Sequence, residues 1–289
     1  MRFSPLDIFR RRARKYLRRF FGDAPFKRDW LQRVLGYRLN DAGCVTETFA
    51  GMEVRYRFDS LPGRCVFLGG EYEESDARFC LDCLRDIKNP VVIDAGANVG
   101  FHTLRWLNLR HDLRLLAVEA NPETAILLRQ NVGGNGFASR CAVYDLALGD
   151  RETDVEFILS SDDAFSSLIS NLRVPEKRRV MVSMKTLDRL VEEARLDRID
   201  LIKIDVEGAE LMVVAGAREV FSRYRPHVFM EIFSRNNQAV APEETIRFMA
   251  GLGYEIRVVV DGKSLPWRAH NDSHANYHFR PQGMADRPT

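Results

Sequence analysis

From about residue 90 onward, short unbroken apolar runs alternate with stretches whose apolar positions recur every three to four residues. The apolar runs predict strands at 90–94, 114–119, 140–146, 199–205, 226–232, 254–260 and 274–280. The periodic stretches predict helices at 99–109, 122–132, 186–195, 208–223 and 242–251. Strands that do not alternate between apolar and polar are buried on both faces. Interleaved with helices, they argue for an α/β fold with a mostly parallel sheet and helices on both sides. The helix at 122 carries its own start signal: Asn121 as N-cap, Pro122 as first residue, Glu123 in the first turn. Gly133-Gly134 marks its end.

The earlier part of the chain reads differently. Residues 44–70 alternate and are rich in β-branched and aromatic side chains, with Gly51 between the runs 45–49 and 53–58 and Pro62-Gly63 after them. They predict short antiparallel strands, followed by a helix at 75–87. Residues 41–89 are therefore expected to form a small cap, and 90–280 the main domain. Before them, Leu6, Phe9, Ala13, Tyr16, Leu17 and Phe20 recur at helical spacing among seven arginines and lysines. Residues 1–40 are expected to be a basic amphipathic arm, and 281–289 a loose tail.

Charge sharpens that division. The net charge is +2, but residues 1–40 hold twelve basic and three acidic residues, while the remainder holds 31 basic and 38 acidic ones. An arm of +9 is joined to a body of −7. An acidic body does not suit a nucleic-acid partner. The arm suits either an anionic membrane surface, through residues 1–22, or packing against the body or a partner. No run approaches the roughly 18 apolar residues of a membrane span, and the N-terminus lacks the apolar stretch and cleavage site of a signal peptide. Five cysteines without framework spacing fit a reducing cytoplasm, with contact at the inner membrane face if the arm binds lipid.

The most informative stretch is Val91-Val92-Ile93-Asp94-Ala95-Gly96-Ala97-Asn98-Val99-Gly100. A buried strand ends in an acid and a small-residue turn, and a helix follows. Gly96 and Ala97 allow the backbone to approach a ligand, Gly100 allows close helix–strand packing, and N–H groups at the helix start can bind an anion. A dinucleotide fingerprint would need glycines at 98 and 101, where Asn98 and Phe101 stand. The pattern Asp-x-Gly-x-(Gly/Asn)-x-Gly is instead similar to the loop of class I S-adenosylmethionine methyltransferases. Asp94 there suits a cationic ligand and would repel a pyrophosphate. Glu119, at the end of the next strand, is placed to accept hydrogen bonds from both hydroxyls of a ribose. The third strand leads to Ala147-Leu148-Gly149, and the adenine is expected over Ala147.

Together these features resemble the FkbM-type methyltransferases, S-adenosylmethionine-dependent O-methyltransferases of bacterial secondary metabolism and glycans. The resemblance runs over about residues 65–280. It rests on Gly70-Glu71-Tyr72-Glu73, the Asp94 loop, Glu119-Ala120-Asn121-Pro122, Ala147-Leu148-Gly149, Thr186-Leu187-Asp188, Ile202 to Glu210, and Asn276-Tyr277-His278-Phe279. It implies a class I (Rossmann-like) sheet of seven strands with a reversed final strand. It also implies S-adenosyl-L-methionine as cofactor and a small-molecule or glycan hydroxyl as methyl acceptor, on a sugar, glycolipid or secondary metabolite. The arm has no counterpart in the family pattern.

The fourth strand carries candidate chemistry on its own terms. Asp205 falls at its carboxyl end, where open α/β sheets bind ligands. Lys203 lies two residues earlier on the same face, and a buried lysine needs a partner: Asp205, Glu207, Glu231 or Asp94. Methyl transfer from a sulfonium needs alignment, exclusion of water and an acceptor for the hydroxyl proton. Asp205 and Glu231 are the expected proton acceptors, with Glu207, Lys203 and His102 as further candidates, His102 also reading as a wall residue. Tyr72, Glu73 and Phe165 are expected on the substrate side, Phe165 in a segment (160–165) that interrupts the α/β order. No metal is expected. Cys80-x-x-Cys83 lacks a second ligand pair and reads as a helix face of small apolar residues, and His270, His274 and His278 span a loop and a strand. Rival readings are a protein or lipid-linked acceptor at a membrane and a non-catalytic cofactor-binding scaffold.

Overall fold

The computed structural model describes residues 43–58, 60–69, 72–169, 175–234 and 240–283. The basic arm lies outside the described residues, as do residues 284–289 of the tail. The chain divides into two units between Glu74 and Ser75, so residues 75–89 go with the larger unit and not with the cap.

In the smaller unit, β1 (Cys44–Phe49) and β2 (Met52–Arg57) pair antiparallel from Cys44↔Arg57 to Phe49↔Met52. Ala50 and Gly51 between them both have positive φ (48° and 85°), the backbone of a two-residue hairpin turn whose twist matches the strands. The strand pattern expected to run to residue 70 ends with β2, before Pro62-Gly63. Both residues lie in the first turn of α1 (Leu61–Gly69), where a proline's fixed φ and missing N–H cost nothing. Gly63 is needed because a Cβ would stand 2.3 Å from the Arg57 carbonyl oxygen.

The larger unit contains α2 (Glu74–Cys83), β3 (Val91–Ala95), α3 (Phe101–Leu109), β4 (Arg114–Val118), α4 (Pro122–Gly134) and β5 (Cys141–Tyr144). After these come β6 (Ala147–Leu148), β7 (Thr153–Ser160), β8 (Glu176–Lys185), α5 (Leu187–Glu193), β9 (Leu201–Ile204), α6 (Glu210–Ala215) and α7 (Arg218–Tyr224). The chain ends with β10 (His227–Glu231), α8 (Pro242–Gly251), β11 (Tyr254–Val260), β12 (Lys263–Pro266) and β13 (Asn276–Pro281). The main sheet has the order β12-β11-β13-β10-β9-β3-β4-β5. Strands β10, β9, β3, β4 and β5 are parallel neighbours, and β13 runs antiparallel between β10 and β11. This is the α/β class I methyltransferase arrangement.

Three features depart from the sequence expectation. The sheet has eight strands rather than seven, because β11 turns back at Asp261-Gly262 (φ 50° and 73°) into β12. A second sheet, β6-β8-β7, occupies residues 147–185. It buries Phe157, Leu159, Val182 and Met184 against Ala147. The helix expected over 208–223 is broken into α6 and α7. At Gly216 a Cβ would lie 2.0 Å from the Gly149 carbonyl oxygen, and the Asp188 carboxylate accepts hydrogen bonds from Glu219 N (3.1 Å) and Val220 N (2.8 Å), capping α7.

Register fixes which residues share a face of the sheet. Asp94, Lys203, Phe229 and His278 are paired across β3, β9, β10 and β13 and point one way. Helices α2 and α3 cover that side. Phe79 of α2 packs against Phe229 and His278, and Trp106 of α3 donates from Nε1 to the Ala77 carbonyl oxygen at 3.0 Å. The opposite face presents Ile93, Ile202, Ile204, Val228 and Met230 to apolar side chains of α5, α6, α7 and α8. Each such fully buried side chain contributes roughly 1.5–3 kcal/mol. Among the described residues no helix is long and apolar enough to cross a membrane.

Candidate active site

At the carboxyl edge of the parallel strands, Asp94, the last residue but one of β3, is fully buried. Its Oδ2 accepts a hydrogen bond from Thr103 Oγ1 of α3 at 2.6 Å. Its Oδ1 is buried with no hydrogen-bond partner, and lies 3.9 Å from Lys203 Nζ. The loop after it turns sharply, with positive φ at Gly96 (79°), Asn98 (51°) and Gly100 (97°). Gly96 and Ala97 donate their N–H groups to the Val118 carbonyl oxygen, which holds the loop over the end of β4.

The two glycines answer to the protein's own backbone and core. A Cβ on Gly96 would stand 1.8 Å from the Asp205 carbonyl oxygen, and one on Gly100 would stand 2.7 Å from Leu128 Cδ1 of α4. Gly96 thus lets the loop close against the exit of β9. Gly100 serves close packing, as expected, but against helix α4.

Glu119, just past β4, is buried beside this loop. Its Oε2 accepts from Asn98 N and its Oε1 from Asn121 N, both at 2.8 Å. Burial pushes its carboxyl up to about 7. The two backbone donors oppose that rise, and the charges of Asp163 and Asp94 add to it. Asp163 belongs to the short turn Asp163–Phe165 after β7, so the segment that interrupts the α/β order lies near Glu119. Phe165 in that turn is buried, and Ala147 packs in the apolar cluster of the second sheet.

Lys203, Asp205, Glu207 and Glu231 meet at the ends of β9 and β10. Lys203 is buried and donates from Nζ to Asp205 Oδ2 at 2.9 Å. Burial alone would raise the Asp205 carboxyl. The Lys203 charge, its hydrogen bond, a hydrogen bond with Glu231 and the nearby His102 outweigh burial and hold it below the usual carboxylate range. Carboxylate oxygens of Asp205, Glu207 and Glu231 all lie within 4.8 Å of one another. His102, in the first turn of α3, is buried with its ring centroid 5.2 Å from that of Trp106.

The turn carrying Glu207 is held in an uncommon backbone, with φ of 55° at Glu207 and 106° at Gly208. Ser167 pins it, donating from Oγ to the Glu207 carbonyl oxygen at 2.7 Å and lying 3.3 Å from that of Val206. Glu210 Oε1 accepts from Gly208 N at 2.9 Å, and burial pushes its carboxyl up to about 7. Sequence reasoning missed Ser167, Glu210 and a further pair. Asn276, opposite Glu231 in the β10–β13 register, donates from Nδ2 to Asp76 Oδ2 of α2 at 3.1 Å.

Asp94, the loop to Gly100, Glu119, Lys203, Asp205, Glu207, Glu231 and His102 therefore gather at one sheet edge. Tyr72 and Glu73 lie in the smaller unit, Glu73 with a left-handed φ of 44°. His270, His274 and His278 do not converge. His270 bonds Asp272, Ser234 and Tyr277, His274 closes a short turn, and His278 faces His227 at 2.9 Å. Cys80 and Cys83 lie on the buried side of α2, in no disulfide.

The chain is similar to the 2-O-methyltransferase NoeI of Sinorhizobium fredii, 31% identical over 151 residues, covering 47% of this chain and 61% of NoeI. It is also similar to methyltransferase sdnD of Sordaria araneosa, 27% identical over 181 residues, covering 51% of this chain and 68% of that one. A solved FkbM methyltransferase from Methylobacillus flagellatus aligns with a TM-score of 0.45 at 18% identity, over 66% of this chain and 43% of its own. The model of the methyltransferase FkbM domain matches residues 94–256, more than half of the chain and all of the edge from Asp94 to Glu231. The chain belongs to the FkbM methyltransferase family.

Proposed function

We propose that the protein transfers a methyl group from S-adenosyl-L-methionine to a hydroxyl oxygen of a sugar, glycolipid or secondary metabolite. The observation that carries this reading is the paired carboxyl group at the sheet edge. Asp205 is kept ionised by Lys203, with carboxylate oxygens of Glu207 and Glu231 within 4.8 Å of its own, beside a glycine loop and a buried ribose-type acid. Family membership supports methyl transfer, and the similarity to a 2-O-methyltransferase supports oxygen as the acceptor atom.

The residues present fit the cofactor. Asp94 Oδ1 is a buried carboxylate oxygen without a hydrogen-bond donor, suited to a cation. Each oxygen of Glu119 accepts one backbone N–H, which leaves a second lone pair on each for a vicinal diol. Asp94, the backbone of Gly96 to Gly100 and Glu119 would hold the cofactor, which supplies an electrophilic methyl group on a sulfonium.

The acceptor hydroxyl must be oriented and must lose its proton. Asp205 does both. Its ionised oxygen accepts the hydroxyl hydrogen bond and then the proton, and Lys203 and Glu231 keep that oxygen ionised beforehand. His102, buried in the first turn of α3 against the Trp106 ring, stands as a wall residue at the same edge.

The test is mass spectrometry of products formed from methyl-labelled cofactor and extracts of polyhydroxylated metabolites and glycans. A labelled methyl ether supports the reading. Label found only on nitrogen or carbon, or binding without any labelled product, overturns it.

A further inference from the structure

Two sequence features that carry no chemistry along the chain meet in space. Cys83 closes the Cys80-x-x-Cys83 pair at the end of α2, and His278 ends the His270, His274, His278 series. His227, the first residue of β10, joins them. One sulfur and two imidazole nitrogens from these residues all lie within 4.8 Å of one another, and all three residues are buried.

The cluster is separate from the candidate active site. His227 lies four residues before Glu231 on β10, at the amino end of the strand. Helix α2 runs along the same face from Asp76, bonded to Asn276 at the carboxyl edge, down to Cys83. His227 Nδ1 and His278 Nε2 are 2.9 Å apart, with the rings stacked at 25°. The other nitrogen of His278, Nδ1, is 3.1 Å from Ser264 Oγ, which accepts a hydrogen bond from Arg257 Nε at 2.8 Å. Apolar side chains of similar size would pack here at less desolvation cost.

We propose that Cys83 Sγ, His227 Nδ1 and His278 Nε2 bind a thiophilic d10 cation, Zn2+ or Cu+, tying α2 to the carboxyl-terminal strands. One thiolate and two imidazoles are the donor set of such ions, whereas Mg2+ and Ca2+ require oxygen. Ligand atoms around one such ion sit about 3.3–3.8 Å apart, given bonds of roughly 2.0–2.3 Å. The two nitrogens would therefore open by less than about 1 Å. Ser264 supplies the outer hydrogen bond that fixes His278 as an Nε2 ligand. Binding releases the Cys83 thiol proton and shifts the ring proton of His227 from Nδ1 to Nε2, so one proton leaves for each cation bound.

The experiment uses the full chain, stripped with chelator under reducing conditions. It is titrated with Zn2+, Cu+, Co2+ or Mg2+ against chromophoric competitors, with melting followed in parallel. One equivalent of Zn2+ or Cu+ is expected, with a higher thermal midpoint and a thiolate-to-metal charge-transfer band for Co2+. Cys83→Ser should abolish the band, and Cys83→Ser and His278→Phe should each weaken binding at least tenfold, while Cys141→Ser changes neither. Uptake below one equivalent, equal stabilisation by Mg2+, or affinity unchanged in Cys83→Ser overturns the proposal. Should the variants fail to fold, X-ray absorption of the loaded wild-type chain decides. Sulfur and imidazole neighbours support the site, and an oxygen-only shell refutes it.

Discussion

Lowering the pH from 8 to 6 should weaken cofactor binding about tenfold through Glu119 alone. Burial raises that carboxyl to about 7, because only two backbone N–H groups stabilise its charge and Asp163 and Asp94 oppose it. A ribose diol donates two hydrogen bonds to the ionised form, so the ionised form is the one that binds. The sign follows. Above pH 7 the acid is already ionised and affinity is flat. Below pH 7 each binding event must first remove a proton, so the dissociation constant rises about tenfold per pH unit. Calorimetry with S-adenosylhomocysteine, the demethylated cofactor, measures this between pH 6 and 8.5 in buffers of different ionisation enthalpy, so proton release is counted directly. Glu119→Gln removes the titration and replaces a charged acceptor with a neutral one. It should bind about 10–100-fold more weakly at pH 8, a loss of roughly 1.5–3 kcal/mol, with the Glu119 proton release gone. Glu119→Ala should bind at least as poorly. A wild-type affinity constant from pH 6 to 8, or the same pH slope in Glu119→Gln, would refute the ribose assignment.

The other expectations concern separate parts of the edge. Asp205→Asn should lower kcat about 10²–10⁴-fold, the range of a lost general base, while S-adenosylhomocysteine affinity by calorimetry stays within a few-fold; full turnover would remove Asp205 as proton acceptor. Ser167→Ala removes the hydroxyl that pins the Glu207 turn and should cost about 1 kcal/mol in denaturant unfolding. It should also lower kcat more than it raises cofactor KM, and an unchanged kcat would show that the turn holds itself. Gly96→Ala places a methyl 1.8 Å from the Asp205 carbonyl oxygen at a φ of 79°. It should destabilise by more than about 2 kcal/mol, so a variant melting like the wild type would show that the loop can move away from β9.

What the sequence made legible is what depends on neighbours along the chain. The strand–helix alternation, the Asn121-Pro122 helix start and the Asp94 loop are local patterns, and each lies where its pattern implies. The missed elements depend on distant partners. Strands β7 and β8 pair with each other outside the parallel sheet, and β8 opens with four exposed charged residues, Glu176 to Arg179, so their runs lack the unbroken apolar stretch of a doubly covered strand. The break at Gly216 is set by the Gly149 carbonyl oxygen and by Asp188, which no helical periodicity records. Asp76 and Asn276 lie 200 positions apart and meet only because β13 returns beside β10.

Lys203 shows how the two levels combine. The sequence marked it as a costly buried cation with four possible partners. Register supplies the answer: Asp94 and Phe229 flank it on β3 and β10, Asp94 Oδ1 stands 3.9 Å away and Asp205 Oδ2 stands 2.9 Å away. One ammonium therefore faces Asp94 and Asp205, with carboxylate oxygens of Glu207 and Glu231 within 4.8 Å of those of Asp205, which gives the edge an acidic charge. A neutral or anionic cofactor would leave that charge uncompensated in a low-dielectric site, whereas a cationic one neutralises it. Lys203 donates to Asp205 Oδ2, and Asp94 Oδ1 lies 3.9 Å from its ammonium with no hydrogen-bond donor of its own.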